Sequence, residues 1–316
     1  MTCIMPIGGN KGGTGKSFIC SNLGIALAKR GKRTLIIDLD LGASNLHTMM
    51  GMSLPSRSLS DFINRRVEKL EETVIPTPVQ ELFLVSGARN DLDVSNILYQ
   101  QKQRIVRAIS RLSYDYIILD LGAGTSFNTV DFFMISNTGV FVAIPEPTSI
   151  ENIYRMVRSL FFRMVKQCAG VSDFRTTVSA ARERNPEGHT DYLDNLLLVF
   201  GDLFPEKAAF FEKLLKGVSF KLVMNQMRDS DNPGLGDMMC RVIEKHLGVS
   251  VVFLGNIAYN SYVHDSVCNR ILFMDKYPYT QTTTDIRKLS ETVIAINKEN
   301  NEDITGGDST DKIQES

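Results

Sequence analysis

The chain has 316 residues, 43% of them hydrophobic, with 35 basic against 36 acidic side chains and a formal net charge of -1. That length suffices for a sizeable core, either one large domain or one domain carrying an insertion, and the balanced charge excludes any global attraction to nucleic acid or anionic lipid. The cysteines (Cys3, Cys20, Cys168, Cys240 and Cys268) are odd in number and scattered, which argues against a disulfide framework, a paired-cysteine metal site or a thioredoxin-like centre.

In chain order, TCIMPI (2–7) reads as a strand that runs into the glycine-rich loop GGNKGGTGKS (8–17). KSFICSNLGIALAKR (16–30) follows as a helix closed by Gly31. Further short, β-branched runs lie at 33–40, 81–87, 114–122, 138–145, 219–225 and 249–256, and none alternates cleanly, which predicts strands covered on both faces. A helix is predicted over 96–112 and another over 149–168. The βαβα order implies an α/β fold, a doubly wound and mostly parallel sheet with ligand chemistry at the carboxyl ends of its strands.

Between the strands at 138–145 and 219–225 the chain is far longer than a crossover requires, with helical patterns at 191–200 and 206–217 and a polar turn at 182–189. This predicts a helical insertion at about 169–217 within a domain spanning 1–298. The polar, acidic stretch 299–316 is expected to be disordered. No apolar run is long enough for an integral membrane segment, and no basic leader precedes the first strand, so a cytoplasmic protein is expected.

The loop carries the strongest chemical signal. A strand, a glycine-rich turn and GKS at a helix mouth form the context of a phosphate-binding loop. Backbone N-H groups of Gly12, Gly13, Thr14, Gly15, Lys16 and Ser17 can wrap a phosphate, Lys16 can reach the β- and γ-phosphates of ATP, and Ser17 can bind Mg²⁺. Asp38 and Asp40 close the second strand and Asp120 closes a later one. A carboxylate after four apolar residues is costly to bury unless it faces a cation, so Asp120 is read as the outer-sphere Mg²⁺ partner, with Asp38 beside it in the metal set. Asp40 is read as the group that orients the attacking water. For these aspartates the alternative is a strand-end turn or helix cap.

These residues support a family resemblance. KGGTGKS, with Lys11 ahead of Lys16, resembles the deviant Walker A motif of the MinD/ParA ATPases; DLDLGASNLHTMMG (38–51) and DLGAG (120–124) resemble that family's two switch stretches, with Gly122 where the family carries proline. PEPTSIEN (145–152) is close to a run in the FlhG/FleN subgroup, and VMNQ (223–226) nominates Asn225 as an adenine contact. The resemblance implies a homodimer that sandwiches two ATP molecules, with Lys11 of one subunit crossing to the nucleotide of the other and acting with Lys16 and Asp40 in slow hydrolysis. Phe18, Gly124 and Asn225 join the loop in the expected nucleotide-binding set. The implied role is a dimerisation switch for intracellular positioning, or for regulating flagellar or polar structures or division, acting with a protein partner. The alternatives are a partition ATPase that binds DNA without sequence preference, and an ATP-dependent ligase of the same fold. Lys11 argues against the ligase.

Peripheral contact with the inner membrane or nucleoid has one candidate surface. In the helix from Ser149, Arg155, Arg158, Arg163 and Lys166 fall on one arc with Phe162, opposite an apolar arc, which is either a solvated face or a phosphate-binding one. The last helix, with Ile286, Leu289, Val293 and Ile296 on one side, is expected to dock on the core. His47, His189, His246 and His264 show no metal spacing and read as surface or packing residues.

Overall fold

The computed structural model describes residues 2–9, 11–41, 44–87, 97–124, 127–136, 138–184 and 192–307, the side chains of 127, 192–194 and 300–307 excepted. In chain order its first half comprises β1 (Cys3–Gly8), α1 (Lys16–Ala28), β2 (Thr34–Asp38), α2 (Leu46–Met49), α3 (Leu59–Ile63), β3 (Ile75–Pro76), β4 (Leu82–Val85), α4 (Tyr99–Ile109) and β5 (Tyr116–Asp120). The middle comprises α5 (Phe127–Phe133), β6 (Val140–Ala143), α6 (Pro147–Ala169), α7 (Val171–Arg184), α8 (Tyr192–Leu203) and α9 (Pro205–Lys216). The chain continues through β7 (Ser219–Met227), α10 (Leu235–Leu247), β8 (Ser250–Ala258), α11 (Tyr262–Cys268), α12 (Phe273–Lys276) and α13 (Gln281–Gly307).

The strands form one sheet in the order β3-β4-β2-β5-β1-β6-β7-β8. Every neighbouring pair is parallel except β3 with β4. Successive residues feed opposite faces. Leu35, Ile37, Ile117, Leu119, Phe141 and Ala143 pack on one side with α4 and α6, while Ile36, Ile118 and Val142 pack on the other with α1 and α13. Because helices cover both faces, both sets must be apolar, and this is why the sequence of each strand lacks alternation. β3 was not foreseen: two residues including Pro76, paired at the sheet edge, carry no periodic signal.

The stretch between β6 and β7 folds as α6 followed by a helical lobe. Leu196, Val199 and Phe200 of α8 and Phe211 of α9 are buried, and Phe211 meets Phe161 of α6 edge-on with ring centroids 6.2 Å apart. Lys207 Nζ donates to the carbonyl of Ala169 at 2.8 Å, and Asn195 Nδ2 to that of Ala181 at 2.7 Å, so polar links tie α9 and α8 to α6 and α7. Leu198, Phe210 and Leu214 remain exposed on this lobe. α7 and α10 have no counterpart in the sequence reading. Only Thr177 and Ala181 of α7 are buried, too few to write a stripe into the pattern.

α13 buries Ile286, Leu289 and Val293 against α1, as its periodicity predicts. It continues to Gly307, past the boundary at which the sequence reading starts a disordered tail. No proline or glycine interrupts 297–305, so a helix anchored on the core propagates through the polar residues, each adding a hydrogen bond without a new nucleation cost. The remainder of that tail, 308–316, lies outside the described residues. Among the described residues no helix is long and apolar enough to cross a membrane.

Candidate functional site

The strand register builds the centre of the site. β5 lies between β1 and β2, with Asp120 level with Ile7 of β1 and with Asp38 of β2, so the two carboxylates are neighbours beside the start of the glycine loop. The loop leaves β1 at Gly8 and enters α1 at Lys16. Gly13 and Gly15 hold φ of 79° and 83°, left-handed values that favour glycine. A side chain on Gly15 would also meet Asn225 Nδ2 at 2.3 Å. The loop and the amide of β7 are therefore fitted to each other, and Asn225 Nδ2 donates to the Thr14 carbonyl at 2.8 Å.

Lys16 is buried, and its Nζ reaches back across the loop to donate to the Lys11 carbonyl at 3.1 Å. Burial lowers its pKa, opposed by the charge of Asp120 and, less strongly, of Cys20 and Asp40. Asp38 and Asp120 are only 1% and 2% exposed. Desolvation first, then their mutual repulsion in the case of Asp38, pushes both carboxyls up, to about 7 for Asp38 and about 6 for Asp120. Asp38 accepts from Ser44 Oγ at 2.7 Å and from the backbone N-H groups of Asp40 and Leu46 at 3.1 and 3.3 Å. Asp120 accepts from the Ser17 hydroxyl and the Cys20 thiol. Two adjacent buried carboxylates served by one lysine form a place that a cation would relieve. Their hard oxygens, with the Ser17 hydroxyl, match the donor chemistry of Mg²⁺. The buried Thr14 Oγ1 also has no partner within the loop.

Asp40 is partly exposed at the rim, and a side chain on Gly122 would come within 3.1 Å of its Oδ1. Gly122, which stands where the resembled switch stretch carries proline, thus lies against the Asp40 carboxylate. Gly124 adopts φ 102°, with open space where a side chain would be.

Lys11 does not point into its own loop. Its Nζ is ion-paired with Glu146 and lies 3.3 Å from Thr148 Oγ1, both within the PEPTS run at the start of α6. Sequence reasoning singled out that run without assigning it a partner. Beside the loop, Gly15, Phe18, Asn225, Gln226, the β8–α11 turn and Thr282 enclose a cavity of about 230 Å³. Asn225 and Phe18, both expected at the nucleotide, border this cavity. His264, expected as a surface or packing residue, lines it too, and Gln226, which sequence reasoning missed, donates from Nε2 to the Gly13 carbonyl at 2.9 Å. Among the described residues no cluster of three or more His, Cys, Asp or Glu side chains could hold a metal on its own.

The basic arc of α6 needs correction. Arg163 is not on a free face: it forms a two-pronged ion pair with Asp131 of α5, Nη2 to Oδ2 being 2.8 Å, and Lys102 of α4 pairs with the same carboxylate. Phe162 is half-buried against the core. Arg155 is exposed and pairs with Glu151 one turn earlier. The helical wheel places Arg163 on the outer arc, but α5 and α4 cover that part of the arc.

Comparison with known proteins bears on this geometry. The profile of the CobQ/CobB/MinD/ParA nucleotide binding domain matches residues 6–307. The antiactivator FleN of Pseudomonas aeruginosa is 29% identical over 181 residues, covering 56% of this chain and 61% of that protein. The septum site-determining protein MinD of Buchnera aphidicola is 24% identical over 234 residues, covering 71% of this chain and 86% of that protein. Among solved structures, MinD of Pyrococcus horikoshii complexed with Mg-ADP superimposes with a TM-score of 0.64 at 18% identity, over 93% of this chain and 96% of the other, a likeness of fold.

Proposed function

The chain belongs to the CobQ/CobB/MinD/ParA nucleotide-binding family, and from that premise we propose that it is an ATP-dependent dimerisation switch of the MinD/ParA type that hydrolyses ATP slowly. The observation that carries the reading is the placement of its two loop lysines. Lys16 lies inside the loop, while Lys11 turns outward to Glu146 and Thr148. A lysine that belongs to the loop sequence but not to the loop interior is poised to serve a phosphate held by a second subunit.

In this reading the N-H groups of Gly12–Ser17 and the Lys16 ammonium hold the β- and γ-phosphates, and the base enters the cavity beside Asn225 and Phe18. Ser17, Asp38 and Asp120 would hold Mg²⁺, which supplies charge neutralisation to the phosphate oxygens. Asp40 orients water toward the γ-phosphorus. Lys11 of the partner subunit adds positive charge where negative charge develops, as an arginine finger does. Catalysis is then largely positioning, and turnover depends on the dimer. The stretch at about 169–217 is read as a helical insertion in this domain, with Leu198, Phe210 and Leu214 available to a protein partner. The protein acts in the cytoplasm, at the inner membrane surface or on the nucleoid, in positioning or in regulating a polar or flagellar structure.

Size-exclusion chromatography with ATP and Mg²⁺ tests the switch, using Asp40→Ala to slow turnover. The expected outcome is a shift from monomer to dimer that is weak in the wild-type chain and strong in the variant. Monomers in both would sink the reading.

A further inference from the structure

Cys20 lies three residues after Ser17, in the first turns of α1, and is fully buried. Its Sγ is 3.4 Å from Asp120 Oδ1, a thiol donating to a carboxylate inside the protein. The Ser17 hydroxyl donates to Asp120 as well. These two donors differ in what they can do once a cation is present. On the reading above, Ser17 gives an oxygen lone pair to Mg²⁺ while its O-H still donates to the carboxylate, so its position follows the metal as well as Asp120. The thiol has no such second duty. It belongs to the buried apolar cluster that also holds Ile19, Leu23 and Ile118, and the hydrogen bond it makes is with Oδ1.

We propose that Cys20 is a positioning residue for the metal site: its S-H group fixes the Asp120 carboxylate through Oδ1, so that the other oxygen is presented to Mg²⁺ in one orientation. The full burial of Cys20 leaves no access for a nucleophilic or oxidative role, and its weak donor suits a carboxylate that must keep most of its charge for the cation. Outer partners of this kind hold the ligand's rotamer and thereby set metal affinity. The role rests on the nucleotide-switch reading, and the test separates the two.

The measurement uses the full chain and a fluorescent ADP analogue, first in EDTA and then with Mg²⁺ titrated at fixed nucleotide. Cys20→Ala is expected to bind the analogue in EDTA as the wild type does, while its half-saturating Mg²⁺ rises about tenfold. Cys20→Ser, which keeps a donor of similar size, is expected to return the half-saturation toward wild type. Equal Mg²⁺ half-saturation in wild type and Cys20→Ala overturns the role alone, as does a serine variant that shares the alanine shift. Loss of affinity in EDTA by Cys20→Ala makes the cysteine a packing residue and overturns it too. A wild-type chain that binds no nucleotide under either condition sinks the switch reading and this role with it.

Discussion

Asp38 and Asp120 show how one residue type can carry opposed demands. Their burial disfavours the charged form, so the folded chain holds both protons more tightly than an unfolded one does. A carboxyl raised in this way contributes stability that is present below its unfolded pKa and is lost as pH rises through the folded value, here through about 6 for Asp120 and about 7 for Asp38. Asp120→Asn removes one buried charge. In thermal melts without nucleotide or metal, this variant is expected to exceed the wild type by about 2–4 °C near pH 8, and the gap to narrow as pH falls below about 6 and to close only near the ordinary carboxyl pKa of about 4. Its nucleotide binding should no longer respond to Mg²⁺. A variant that melts lower at both pH values would count against the electrostatic account. Lys16, Ser17, Asp38 and Asp120 could be nominated from the sequence because each sits in a local pattern whose chemistry is readable over a few residues. Glu146 and Cys20 were not, because their partners are 135 and 100 residues away and no local pattern records such a pairing.

At the scale of elements, α4, α5 and α6 meet through Asp131, which takes Lys102 from one neighbour and Arg163 from the other. The three side chains are 9%, 5% and 17% exposed, so solvent screens the cluster little. Replacing the carboxylate leaves two buried cations without their anion. Asp131→Asn is therefore expected to cost about 3–5 kcal/mol in urea unfolding, read as a lower midpoint at unchanged slope. A shift under about 0.5 kcal/mol would show that the cations find other partners. Because α5 follows directly on the DLGAG stretch, the cluster also ties that stretch to α6, the helix on which the lobe of α7 to α9 packs. The central strands were readable as short, β-branched apolar runs and the amphipathic helices from their periodicity, both of which are local properties of the chain. β3, α7 and the far end of α13 were not: a two-residue edge strand, a helix with few buried positions and a helical extension of polar residues are held by neighbours rather than by their own patterns.

At the scale of the whole molecule, the question is how Lys11 leaves Glu146. The pair is partly exposed, 33% for the lysine side chain and 53% for the glutamate, so it is weak, and on the proposed dimer reading it exchanges for a phosphate held by the second subunit. Lys11→Ala is expected to bind the ADP analogue as the wild type does and to stay monomeric with ATP, even when combined with Asp40→Ala. Sedimentation velocity of the double variant decides this, and a dimer as strong as that of Asp40→Ala alone would remove Lys11 from the interface. The amino-acid sequence by itself determined the fold class and the phosphate loop, because apolar β-branched runs, a glycine-rich turn and a lysine before a helix are all local consequences of backbone and side-chain chemistry, and its motifs carried the family resemblance. Only the tertiary structure decided which way Lys11 points, which thiol holds Asp120 and that Arg163 is committed to Asp131. Each of those is a pairing between elements far apart in the chain, loop to helix start, helix to strand and helix to helix, set by register and packing that no short stretch of chain contains.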